Sequence, residues 1–285
     1  MNFWYSFIDT ILPFSWLEPT FMKNALLALL VAAPLFGGLG SFVVSNNMAF
    51  FSDAIGHSAL TGIAFGVLLG IDEPVLAMVV FSLILGFAII TVKTKGKSSA
   101  DTIIGVFSST AVALGLVLLS ATGNFAKYQK YLIGDILSIK SSEIFILAIT
   151  GLIAIIIWIL FYNKMLLTNL HRTFAKSRGV KVFAIEQIFS LLTAIIVTIS
   201  IRWTGLLVIN SLLVLPAAAS RLVTKCSRTY LLISILISIL SSILGLAISY
   251  YAGSASGATI VLVNAVAFII CLILPNLLKI ITRKK

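Results

Sequence analysis

The amino-acid sequence predicts an all-α fold, a polytopic transmembrane helix bundle of about nine spans. Of its 285 residues 60% are hydrophobic and only 10% are charged, whereas an average soluble domain has about 25% charged residues. Charge this scarce cannot cover a water-facing surface, so most of the surface must contact lipid. The apolar stretches are continuous and do not alternate with period two, which favours helices over a β-barrel.

The first segment, residues 1–19, is rich in aromatic residues and contains two prolines. No basic region precedes an apolar stretch there, so we do not expect a cleaved signal peptide. We interpret residues 1–19 as an interfacial segment with Trp4, Tyr5 and Trp16 at the depth of the lipid headgroups. Residues 20–285 are then expected to form a single transmembrane domain.

Nine apolar runs follow this segment, and each is close to the roughly 20 residues that cross a bilayer as a helix. They cover residues 21–44, 53–70, 74–92, 102–122, 143–162, 182–201, 203–220, 229–251 and 257–280.

Basic residues orient these runs, because cytoplasmic loops carry an excess of lysine and arginine. Two runs separate each pair of neighbouring basic clusters, so all four clusters can lie inside and the N-terminus outside. This distribution also explains the net charge of +11 without nucleic-acid binding. The clusters are Lys93, Lys95 and Lys97; Lys164, Arg172, Lys176, Arg178 and Lys181; Arg221, Lys225 and Arg228; and Arg283, Lys284 and Lys285.

The loop 123–142 is the main segment predicted outside. Its stretch YLIGDILSI, residues 131–139, is too short to cross a membrane. We expect a short helix near the outer surface with Asp135 at its centre, where it is a candidate for an outer-side contact.

Asp53 and His57 are the most informative ionisable residues within the apolar runs. They are four residues apart, so they share one face of a helix. A carboxylate and an imidazole there predict metal or proton handling, because ionisable groups inside a membrane are costly. The alternative is structural: Ser52 or Asp53 caps the helix, and His57 forms a hydrogen bond with a neighbouring helix.

Other ionisable residues have simpler interpretations. Glu186 is expected to complement its helix dipole or to pair with Lys181 or Arg178. Asp101 is expected to cap its helix, and Asp72 and Glu73 lie in an outer turn. Cys226 and Cys271 form no CxxC motif and are not expected to form a disulfide.

The sequence lacks a GxxxxGK[ST] phosphate-binding loop and the GxSxG and HExxH motifs. We therefore do not expect the chain to be an enzyme. If ATP drives its activity, hydrolysis must occur in a separate subunit.

Four motifs in order resemble the permeases of zinc and manganese ABC importers, over residues 21–280. They are NNMAFFSDAIGHSALTGIAFGVLLG, DTIIGVFSSTAVALGLVLLS, YLIGDILSI and TGLLVINSLLVLPAAASRLV. The first and third are closer to the zinc permeases. The resemblance implies a type II ABC importer permease in a bacterial inner membrane, with zinc as the favoured cargo, manganese or ferrous iron as alternatives, and no tightly bound cofactor.

The resemblance also implies partners and site residues. The partners are a second copy of the chain, two cytosolic ATPase subunits and an extracytoplasmic metal-binding protein. Asp53 and His57 match the metal-handling positions. Segment 169–180 matches the ATPase contact, through Leu170, His171, Arg172, Phe174, Ala175, Lys176 and Gly179, although the family's acidic residue is missing near His171 and Arg172.

Two other classes remain open. A secondary metal transporter would use the same Asp53–His57 pair without an ATPase, and dependence of uptake on ATP hydrolysis separates the two. An intramembrane enzyme would need a second catalytic cluster, which the sequence does not offer.

Overall fold

A computed structural model describes residues 14–71, 73–96, 98–123 and 134–283, with side chains described up to residue 274. Ten α-helices occur in these ranges. They are α1 (Thr20–Ser45), α2 (Phe51–Leu68), α3 (Pro74–Lys95), α4 (Ala100–Ala121), α5 (Ser141–Leu170), α6 (Arg172–Ser177), α7 (Val182–Thr204), α8 (Leu206–Val223), α9 (Ser227–Ala252) and α10 (Ser256–Arg283).

Nine helices in the described residues, all except the six-residue α6, are long and apolar enough to cross a membrane. Each of the nine predicted runs corresponds to one of them, which confirms the all-α fold and the span count. Among the described basic residues, Lys93 and Lys95 lie in the last turn of α3 and Arg221 lies in the last turn of α8. The orientation of the spans stays a prediction.

Helix α5 is longer than the sequence predicted. The apolar run ends at residue 162, but the helix continues to Leu170. A run of apolar residues marks only the part that suits lipid, whereas backbone hydrogen bonds extend a helix through polar residues such as Asn163 and Lys164 equally well.

The chain divides into two compact units. The first contains the residues up to Val44, Asp135–Ile149 and Trp203 onward; the second contains Ser45–Gly134 and Thr150–Arg202. Neither unit is one continuous stretch of chain. The single transmembrane domain expected from residue 20 onward stays a prediction.

In the first unit, α8, α9 and α10 pack against one another. Helix α1 lies on α9, where Ser238 Oγ donates a hydrogen bond to the carbonyl oxygen of Ala33 at 2.8 Å and Ser234 Oγ to that of Gly37 at 2.7 Å. A Cβ on Gly37 would lie 2.9 Å from Ser238 Cβ, so glycine permits this approach.

Two sequence expectations in the first unit concern single residues. Trp16 lies in a 3-10 helix, Ser15–Leu17, that contacts α9, and its side chain is buried in the protein, while its depth in the membrane stays a prediction. Asp135 is not at the centre of a helix. It precedes the 3-10 helix Ile136–Ser138, and its carboxylate accepts a hydrogen bond from the backbone N–H of Leu137 at 3.0 Å. Trp4 and Tyr5 lie outside the described residues.

In the second unit, α2 packs against both α3 and α4. Thr61 Oγ1 on α2 donates a hydrogen bond to the carbonyl oxygen of Ala111 on α4. Helix α4 is capped by Ser99, whose hydroxyl accepts a hydrogen bond from the backbone N–H of Thr102, and not by Asp101 as expected. Asp101 lies instead in the first turn, where a carboxylate favours the helix dipole.

Candidate metal site and partner-contact segment

The candidate metal site lies at the start of α2. Asn47 closes the preceding turn with a left-handed backbone, φ 53°, a conformation that asparagine tolerates better than most residues. The residue before the helix is Phe50, and its side chain forms no cap hydrogen bond. The interpretation that Ser52 or Asp53 occupies the cap position is therefore wrong, since both lie inside the helix.

Asp53 and His57 lie on one face of α2, as their spacing predicted. Asp53 Oδ1 is 3.5 Å from His57 Nε2, and the two side chains are 40% and 39% exposed. From Phe51 to Ala64, all residues of the helix except Asp53 and His57 are buried. Packing thus covers this part of α2 except along the line that carries the carboxylate and the imidazole.

The distance within this pair suits a metal ion. Zinc binds carboxylate oxygen and imidazole nitrogen at about 2.0–2.2 Å. Two such ligands in a tetrahedral shell are therefore about 3.3–3.5 Å apart, which the separation of Asp53 Oδ1 and His57 Nε2 matches.

The pair offers only part of a coordination shell. Among the residues that the structure describes, no group of three or more histidine, cysteine, aspartate and glutamate residues could hold a metal ion. Asp53 and His57 can therefore supply two ligands, and the others would have to come from water, from another chain or from other kinds of oxygen ligand. A structural zinc site, by contrast, has four protein ligands.

The predicted partner-contact segment contains α6. His171 separates α5 from α6, and Gly179, with φ 75°, ends the turn after it. Leu170 is 62% exposed and Phe174 48% exposed. His171, Arg172, Lys176 and Gly179 are exposed as well.

Ala175 differs from the other predicted contact residues. It has no exposed surface, because it lies on the side of α6 that faces the rest of the chain. In this structure it offers a partner nothing to touch. The sequence could not separate the inner and outer faces of a six-residue helix.

Glu186 has a different partner from those expected. Arg172 Nη2 lies 2.6 Å from Glu186 Oε1 and 2.8 Å from Oε2, so the pair joins α6 to α7. Glu186 is 8% exposed. The expected pairing with Lys181 or Arg178 is therefore wrong.

The remaining candidates lie elsewhere in the sequence, outside α2. Asp135 caps a 3-10 helix in the first unit, Glu73 precedes α3, and Asp72 lies outside the described residues. Cys226 and Cys271 are both free, as expected. Backbone N–H groups of Arg228 and Thr229 lower the pKa of the exposed Cys226 thiol.

These features indicate the class of protein. In the described part of the chain, nine membrane-length helices, a carboxylate–imidazole pair on one of them and a short exposed helix between two others are typical of the membrane-spanning part of a transporter.

Comparisons with known proteins identify the family. The model of the ABC 3 transport family matches residues 18–275, and the chain belongs to this family. It is a multi-pass inner-membrane protein.

The relatives include transporters of two metals. The chain is 32% identical to the high-affinity zinc uptake system membrane protein ZnuB of Haemophilus influenzae over 260 residues, 91% of this chain and 97% of the relative. It is 29% identical to the manganese import system permease protein ScaB of Streptococcus gordonii over 250 residues, 88% of this chain and 90% of the relative.

A solved structure has the same fold. PsaBC from Streptococcus pneumoniae in complex with Fab superimposes with a TM-score of 0.75 at 26% identity, covering 95% of both chains.

Proposed function

We propose that this chain is the transmembrane permease subunit of an ATP-binding cassette importer that moves a divalent transition metal into the cytoplasm. The observation that carries the proposal is the exposed Asp53–His57 pair on an otherwise buried stretch of α2, in a chain whose relatives import zinc and manganese.

The chemistry of the pair suits transient binding. A bare divalent cation cannot enter hydrocarbon, since burial of an unpaired charge is very costly. Asp53 supplies negative charge and His57 a neutral nitrogen. Two protein ligands replace part of the hydration shell and leave the rest to water, so an ion can bind and leave. Four thiolates would hold zinc far more tightly.

Zinc is the favoured cargo, with manganese and ferrous iron as alternatives. Imidazole suits zinc and iron, and carboxylate also suits manganese. The relatives support both zinc and manganese at similar identity. The first and third family motifs favour zinc, and the metal is the substrate of the permease rather than a resident cofactor.

ATP hydrolysis is assigned to a partner. An ABC transport family implies an ATPase and a substrate-binding protein beside the permease. We assign the ATPase contact to the exposed face of α6, which presents Phe174 and Lys176 beside Leu170 and His171. Two copies of the chain, two ATPase subunits and an extracytoplasmic metal-binding protein would form the complete importer.

A second candidate is a secondary metal transporter that uses the same pair without an ATPase. The exposed α6 favours the ABC importer, because a secondary transporter has no need of a partner-facing helix. The family match favours it as well.

Metal-resolved uptake tests the proposal. The purified permease is reconstituted in liposomes with its ATPase and binding protein, and internal zinc, manganese and iron are measured with ATP, without ATP and with a non-hydrolysable analogue. We expect uptake of one metal that requires ATP hydrolysis. ATP-independent uptake driven by an ion gradient would favour the secondary transporter, and no uptake of any of the three metals would contradict the proposal.

A further inference from the structure

The ion pair between Arg172 and Glu186 joins two helices that are neighbours in the sequence and are connected by a short turn. Helix α6 has six residues, and residues 178–181 separate it from α7. A helix this short is marginal on its own. Both carboxylate oxygens of Glu186 lie within hydrogen-bond distance of Arg172 Nη2, at 2.6 and 2.8 Å, so the pair fixes α6 against α7.

The next residue of α7 makes a second connection. Gln187 Nε2 donates hydrogen bonds to the carbonyl oxygen of Phe87 and to Thr91 Oγ1 on α3, both at 3.1 Å. Ser190, one turn further on, donates to the carbonyl oxygen of Gly86 at 3.4 Å. Helix α7 therefore contacts α3 through Gln187 and contacts α6 through the adjacent residue, Glu186.

A third connection reaches the turn just before α2, the helix that carries Asp53 and His57. Lys93 Nζ on α3 donates a hydrogen bond to Met48 Sδ at 3.2 Å. Met48 lies five residues before Asp53 and just ahead of α2. Further along, α3 packs on α2 at Gly62, where a Cβ would lie 2.8 Å from the backbone of Met78.

These contacts form one continuous series within the second unit, from α6 through α7 and α3 to the start of α2. We propose that Arg172 and Glu186 are positioning residues that transmit movement of α6 to the Asp53–His57 pair. This inference rests on the proposed function, in which the ATPase moves α6, and it adds a specific mechanical link to it. The side chain of Arg172 is 48% exposed, so it can contact a partner subunit while it is paired with Glu186, which is 8% exposed.

A purely structural role predicts a different result. A structural ion pair changes how much folded protein is present, but each folded complex keeps its normal ratio of metal moved to ATP hydrolysed. A transmitting pair changes that ratio, because the ATPase can turn over while α2 fails to follow. The decisive quantity is therefore metal transported per ATP in the complete reconstituted importer.

The experiment compares Glu186→Gln, Arg172→Gln and the charge-exchanged double variant Arg172→Glu/Glu186→Arg. Each single variant should lower metal transported per ATP by at least about five-fold, the lower end of the coupling measured between distant sites. The exchanged pair should return the ratio to within about two-fold of the unaltered protein. Lys95→Gln is the matched control. It removes an exposed cation from the end of α3 that also carries Lys93, and the metal transported per ATP should not change.

Gln187→Leu provides a second test of the series of contacts if one of the single charge variants does not fold. It removes the hydrogen bonds to α3 without leaving a buried charge, and it too should lower the ratio. An unchanged ratio in Gln187→Leu and in the folded charge variants would overturn the inference. So would a low ratio in the exchanged pair at normal abundance. If the unaltered importer moves no metal, the proposed function fails first, and this inference fails with it.

Discussion

Gly115 of α4 lies directly against Thr61 of α2. A Cβ at position 115 would be 2.5 Å from Thr61 Oγ1 and 2.9 Å from its backbone nitrogen, closer than unstrained packing allows. Thr61 also donates a hydrogen bond to the carbonyl oxygen of Ala111, one turn earlier on α4. The helix that carries the metal pair is thus held to α4 by a glycine and a buried hydroxyl.

Gly115→Val should destabilise the protein. The added side chain must push α4 away from α2, and overpacking of this kind typically costs about 1–3 kcal/mol. Thermal unfolding of the purified protein in detergent should show a lower melting temperature. Gly105→Ala on the same helix is the control, because a Cβ there meets nothing within 4 Å. Equal melting temperatures for both variants would rule out the close contact.

Asp53→Asn and His57→Ala should each lower metal uptake by at least about ten-fold per folded complex. The first removes the charge with little change in shape, and the second removes the nitrogen ligand. Uptake is measured in reconstituted liposomes and divided by the amount of assembled complex. Asp101→Asn, an exposed carboxylate in the first turn of α4, should behave like the unaltered protein.

A structural role for the Asp53–His57 pair would give another pattern. Membrane abundance or thermal stability would fall first, and the folded fraction would keep near-normal uptake. That result would remove the metal assignment even if ATP-dependent transport by the unaltered protein were established.

Two neighbouring residues of α6 should respond in opposite ways. Phe174→Ala removes an exposed ring, so the protein should fold normally but bind its ATPase more weakly and transport less. Ala175→Trp places a large side chain where no space is exposed, so its main effect should be loss of folded protein. Co-purification of the ATPase, compared with permease abundance, separates the two effects. Normal folding of Ala175→Trp together with normal ATPase binding by Phe174→Ala would contradict the assigned faces.

Cys226 provides a test of membrane orientation. In a Cys271→Ala background, a membrane-impermeant maleimide should label Cys226 only after the cells are permeabilised, because the basic loop beside it is predicted inside. Ser254→Cys, placed between α9 and α10 in a chain lacking both native cysteines, should react in intact cells. Labelling of both positions from the same side would contradict the orientation.

The labelling of Cys226 should also depend on pH in a definite direction. The thiolate is the reactive form, and the pKa of this thiol is lowered by backbone N–H groups of Arg228 and Thr229. The labelling rate should rise with pH and level off at a lower pH than that of free cysteine. A profile identical to free cysteine would show that these N–H groups do not stabilise the thiolate.

The sequence predicted the helices well because lipid imposes a simple rule. A helix that crosses hydrocarbon must be apolar along about 20 residues, so the spans could be located from composition alone. The shared face of Asp53 and His57 also followed directly from helical geometry. Neither inference needs any knowledge of tertiary contacts.

Features that depend on tertiary contacts were less accessible. Glu186 pairs with Arg172 rather than with a nearer cation, because α6 folds back and brings a residue 14 positions away into range. Trp16 is buried, and its 3-10 helix contacts α9, more than 200 residues later in the chain. Asp135 was placed in a helix because a three-residue 3-10 turn has no periodicity to reveal it.

The start of α2 bears on how long an ion would remain bound under the proposed function. The amino end of a helix carries a partial positive charge, which favours a carboxylate such as Asp53 and disfavours a cation held at the same place. Asp53 lies in the first turn of α2, so that field would act on any ion that the pair coordinates. A site of this kind would combine ligands that attract a metal with a backbone that repels it, and the result would be a short dwell time.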